Sequence, residues 1–138
     1  MSDTISFTVN IAPQGAVRMT QRSKWKNQSA KNYLQYKNIV GYTAKKHFEE
    51  PINGPVATEI EFYYPVPRSW SKKEKDKALS GQIFPTVKPD IDNVVKGIFD
   101  SLNKIAWEDD NRVVALITRK YYSDHPRIVI KVWEVDAA

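Results

Sequence analysis

The chain has 138 residues, 41% of them hydrophobic and 12% aromatic, which suits one domain with a buried core and argues against a disordered chain. It contains no cysteine, so disulfide staples, thiolate metal sites and a cysteine nucleophile are excluded. The formal net charge is +5, but residues 89–111 hold six acids against two lysines, a net of −4 inside a remainder of +9.

Residues 5–11, ISFTVNI, alternate apolar and polar and predict a strand that Pro13 and Gly15 end. Residues 16–28 lack periodicity and read as a loop or arm. Arg18, Arg22, Lys24 and Lys26 surround Trp25 there, a mixture that suits a phosphate backbone and an unstacked base, or an ordinary solvated loop with one packed Trp. Ser29 is the expected N-cap of a helix over 29–48 that buries Ala30, Tyr33, Leu34, Val40, Ala44 and Phe48 and keeps its lysines elsewhere. His47 near its end is read as a charge at a helix C-terminus. Residues 56–64 alternate strictly, with Val56, Thr58, Ile60, Phe62 and Tyr64 on one face and Glu59 and Glu61 on the other. Ser71 and Glu74 have capping-box spacing and open a short charged helix to about Leu79, closed by Gly81. Its Lys72 and Lys73 are candidate DNA contacts or simply a solvated face. A longer helix is expected over 91–105, then strands over 112–122 and 127–135 joined by a turn at 123–126. The order β-α-β-α-α-β-β predicts an α/β (α+β) fold, a mixed sheet of about four strands with two to three packed helices. No apolar run approaches the roughly 20 residues that cross a bilayer. The N-terminus has no cationic lead before an apolar core. The expectation is a single cytoplasmic domain over 1–138, away from membranes.

The acidic window carries the chemistry. Ile91, Val94, Val95, Ile98, Leu102 and Ile105 follow helical spacing and define a buried stripe. Asp92, Lys96 and Asp100 fall at i, i+4, i+8, on a ridge beside it. Asp90 precedes or caps the helix and can turn towards Asp92. Asp109 and Asp110 lie in a turn, and pairing of the next strand beside the helix would bring one of them to the same point. Three carboxylates with no His or Cys make a hard, all-oxygen site suited to Mg²⁺ or Mn²⁺. Such a site activates water against a phosphodiester, with Lys96 placed to meet the phosphate. The same residues also fit plainer roles. Asp90 and Asp92 suit a helix dipole, Lys96 suits i,i+4 ion pairs, and Asp109–Asp110 suits a turn.

At these residues the sequence resembles the RusA family of Holliday junction resolvases of phages and prophages. The motif is KPDIDNVVK at 88–96, FDSLN at 99–103 and WEDDNRVV at 107–114, with SWSKKEK at 69–75 and RKYY at 119–122. The resemblance implies a RusA-like domain in which Asp90, Asp92 and Asp110 are catalytic metal ligands and Lys96 is the essential lysine. Asp100 is a supporting acid, and Asp109 stays open as an alternative to Asp110. The resemblance implies a Mg²⁺-dependent homodimer, with Mn²⁺ as a possible substitute, that resolves four-way DNA junctions by paired symmetric nicks. The competing readings are a branched-DNA-binding protein without cleavage, and a related nuclease acting on forks, flaps or RNA.

Overall fold

In a computed structural model, which describes residues 3–18 and 27–136, a mixed sheet carries its helices on one face. The elements in chain order are β1 (Ile5–Val9), α1 (Gln28–Lys45), β2 (Val56–Pro65), α2 (Lys72–Leu79), α3 (Ile91–Leu102), β3 (Val113–Ser123) and β4 (Arg127–Glu134). The four strands lie in the order β1-β4-β2-β3. β4 is antiparallel to β1 and β2, whereas β3 is parallel to β2.

The expected α+β architecture and element order hold, with shifts at element ends. Asn27 rather than Ser29 caps α1, its side chain accepting from the Ser29 N–H at 2.8 Å. The helix stops at Lys45, and His47 beyond it stacks on Phe7, 5.2 Å between rings. The capping box at Ser71 and Glu74 is formed in both directions. α3 ends at Leu102 rather than 105, because Asn103 turns to accept from the buried Trp107 indole N–H at 2.8 Å and Lys104 takes φ 68°.

One face of β2, Val56, Thr58, Ile60, Phe62 and Tyr64, is buried, as the alternation predicts. Tyr33, Tyr36 and Val40 of α1 and Val94, Ile98 and Leu102 of α3 share the core with it. Ile91, expected in the stripe, is 39% exposed because it starts the helix at the rim.

The connection between β2 and β3 positions the site. The two strands are parallel, so the chain must return to the starting end before β3 begins. α3 makes that return. Tyr64 near the end of β2 donates its hydroxyl to the Pro89 carbonyl at 2.5 Å, just before α3 starts. At the other end Trp107 bridges Ile52, ahead of β2, and Val113 pairs with Val56. β3 and β4 are consecutive but do not pair, since β2 lies between them. The short turn after Ser123 spans two strand spacings, about 10 Å.

Candidate active site

Asp90 is the N-cap of α3, yet its carboxylate makes no capping hydrogen bond. Asp92 sits in the first turn. Both are exposed, and among the described residues neither carboxylate has a hydrogen-bond or ion-pair partner. Three groups hold the loop before them. Tyr64 binds the Pro89 carbonyl, Lys120 of β3 donates to the Val87 carbonyl at 2.8 Å, and the Lys120 ammonium lies 4.7 Å from the centre of the Tyr64 ring. Burial first, and the nearby Asp90 charge second, push the Tyr64 phenol up to about 12. It therefore remains a hydrogen-bond donor across the working pH range. The two aspartates line a cleft of about 680 Å³ with Lys88, Asn93, Gln14 and Gly15.

The far wall of that cleft is a strap, residues 13–17, which crosses α3. The Ala16 N–H donates to the Asn93 carbonyl at 3.3 Å. A Cβ at Gly15 would run into the Asn93 side-chain amide, and one at Gly97 would stand 3.4 Å from the Gln14 carbonyl. Glycine at 15 lets the strap approach the helix closely, whereas a Cβ at 97 would make only ordinary contact.

One turn along α3, Lys96 binds Asp100 rather than Asp92, with 3.2 Å between Nζ and Oδ2. The Tyr33 hydroxyl of α1 donates to the same carboxylate at 3.0 Å. Asp100 thus carries a cation and a phenol, and burial together with that carboxylate raises the Tyr33 phenol above its ordinary range.

The expected convergence of Asp109 or Asp110 on this point does not occur within one chain. The Asp109 carboxylate accepts from the Asp110 N–H at 2.9 Å and opens a 3-10 turn, Asp110–Arg112, at the start of β3. That is the opposite end of α3. From Val113 to Tyr122 the strand makes nine steps, roughly 30 Å of rise. Among the described residues no three acidic or histidine side chains stand close enough together to hold a metal ion. The turn chemistry absorbs Asp109 and leaves the Asp110 carboxylate without a partner among the described residues.

Of the basic candidates, Lys72 and Lys73 lie on the exposed face of α2, and Arg18 is exposed where the strap ends. Arg22, Lys24 and Lys26 lie outside the described residues. Sequence reasoning missed Tyr33, Tyr64 and the strap. A tyrosine at a core position was the available signal, because its buried tip seeks a hydrogen-bond partner.

Comparison with known proteins gives the family of the chain. Residues 10–133 match the profile of the family described as Endodeoxyribonuclease RusA. A Bacillus subtilis (strain 168) protein named uncharacterized protein YqaN is 39% identical over 144 aligned positions, covering 98% of this chain and 99% of that one. A Lactococcus phage r1t protein named crossover junction endodeoxyribonuclease rusA is 28% identical over 105 positions, covering 75% of this chain and 72% of that one.

Proposed function

The chain belongs to the RusA family of endodeoxyribonucleases, and from that premise we propose that it resolves four-way DNA junctions, hydrolysing a phosphodiester at the start of α3. The observation that carries this reading is the pair of exposed carboxylates, Asp90 and Asp92, without a side-chain partner among the described residues and one turn from a braced lysine in an otherwise basic chain. Both are hard oxygen donors held at the rim of a cleft, with no nitrogen or sulfur ligand beside them, and this set fits Mg²⁺, with Mn²⁺ as substitute. A divalent ion there would supply an activated water and neutralise charge on the phosphate oxygens. Asp90 and Asp92 would hold it. Tyr64 and Lys120 fix the loop that aims Asp90. Lys96, restrained by Asp100, would face the phosphate or the leaving oxygen.

Asp110, at the far end of α3, joins this reading only through a second subunit. β3 is an edge strand whose outer side has no pairing partner among the described residues. Its N-terminal half is apolar and exposed, with Val114 at 61%, Leu116 at 39% and Ile117 at 51%. A bare edge of this kind invites pairing with another copy. Two-fold antiparallel pairing centred on Ala115 would set apolar residues against each other and Asp110 of the partner subunit opposite Lys120. Lys120 holds the loop that leads to Asp90. Each subunit would then lend Asp110 to the other's Asp90 and Asp92, and two such sites would deliver paired symmetric nicks.

The test is a substrate panel of four-way junction, fork, flap and RNA, incubated with Mg²⁺, with Mn²⁺ and with a chelator. The expected result is metal-dependent paired nicking of the junction, lost in Asp92→Asn with junction binding kept. Undiminished cleavage by Asp92→Asn would sink the site, and binding without cleavage in either metal would leave a branched-DNA-binding protein.

A further inference from the structure

A second cleft, of about 550 Å³, adjoins the acidic one. The two share Val17 of the strap and Asn93 of α3 in their walls. Their charges are opposite. Arg18, Lys37 and Lys96 line the second cleft against one carboxylate, Asp100. That carboxylate is already engaged by Lys96 and by the Tyr33 hydroxyl. Among the described residues neither Arg18 nor Lys37 has an acidic partner. The helical pattern put the α1 lysines on an outer face. Lys37 instead turns into the cleft, its ammonium 4.9 Å from the centre of the Tyr33 ring. Contact with an aromatic face holds a cation in place without neutralising it.

We propose that this cleft is a second phosphate subsite, in which Lys37 and Arg18 hold the backbone phosphate next to the one being cut. The proposal rests on the nuclease reading above and names what grips the strand beside its carboxylates. The two clefts meet at Val17 and Asn93, so a strand whose scissile phosphate lies in the acidic cleft continues into the basic one. Two cations with no acidic partner among the described residues, in a walled cleft, match a phosphodiester, whereas the adjoining carboxylates repel it until a cation neutralises them. The subsite would therefore hold the strand while its neighbour enters the acidic cleft. Contacts of this kind position a strand and carry no base preference.

The test is the salt dependence of binding to a fluorescein-labelled four-way junction, read by anisotropy in a chelator so that nothing is cut. Lys37→Ala is expected to weaken binding several-fold and to lower the slope of log affinity against log salt by about one. Arg18→Ala should do the same, and Lys37→Arg should restore the slope. Lys31→Ala, which removes a charge from the exposed side of the same helix, should leave the slope unchanged. Alanine is the best helix former, so α1 survives these changes. Equal slopes for Lys37→Ala and Lys31→Ala, with metal-dependent cleavage intact in the parent chain, would overturn the subsite alone. Absence of salt-dependent binding by the parent chain would overturn the subsite and the nuclease reading together.

Discussion

Tyr33 is 2% exposed, and its ring packs in the core while its hydroxyl reaches the Asp100 carboxylate. An exposed Lys–Asp pair at i,i+4 is worth only a few tenths of a kcal/mol by itself, about 0.3–0.5. Lys96 is 65% exposed and would otherwise sample many positions. A half-buried carboxylate already fixed by a phenol removes that freedom at one end. Tyr33→Phe keeps the ring and deletes only the donor. The expected stability loss is about 1 kcal/mol. The single-turnover cleavage rate should fall roughly three- to tenfold, with junction affinity unchanged. Denaturant melts, single-turnover rates and binding isotherms measure the three quantities separately. An unchanged rate at full occupancy would mean that Lys96 acts without the brace. Tyr33→Phe should also add nothing in an Asp100→Asn background, because its effect passes through that carboxylate.

At the scale of elements, the strap and α3 behave as one unit. Gly15 lies where a Cβ would meet the Asn93 amide and come within 3.1 Å of the Pro89 side chain. Its backbone is not in the left-handed region, so alanine is allowed there. Gly15→Ala should leave thermal stability within about 1 kcal/mol of the parent, since the hard clash is with the end of the movable Asn93 side chain and Pro89 need give only slightly. It should still depress cleavage, because Asn93 and Pro89 flank the two aspartates. Melting curves beside nicking assays test this, and unchanged nicking would show that the strap is not part of the site. The elements themselves were largely readable. Val94, Ile98 and Leu102 announce α3 by their spacing, and strict alternation announces β2. Ser71 and Glu74 announce α2 by their mutual hydrogen bonds. The end of α3 was not readable, because Trp107 and Asn103 set it through a contact that exists only once Trp107 is buried.

At the scale of the molecule, the sequence pattern placed Asp90 and Asp92 together but said nothing of which way the chain runs after α3. That direction decides where Asp110 goes. A parallel β2–α3–β3 crossover sends it to the far end of the helix, and local spacing carries no trace of that choice. Asp92→Asn and Asp110→Asn should each abolish nicking as purified proteins. In a site built within one chain, mixing them changes nothing, because every site in every dimer carries a defect. In a site shared across β3, a mixed dimer concentrates both defects in one site. The other then joins an intact Asp92 to an intact Asp110 from the opposite subunit. Mixing after a brief denaturation and refolding should therefore restore single-strand nicking of the junction, with paired cleavage still missing. Leu116→Glu, placed in both subunits, should block that recovery by burying a charge at the pairing edge. Failure of the mixture to nick, with mixed dimers shown to form, would remove Asp110 of the partner subunit from the site.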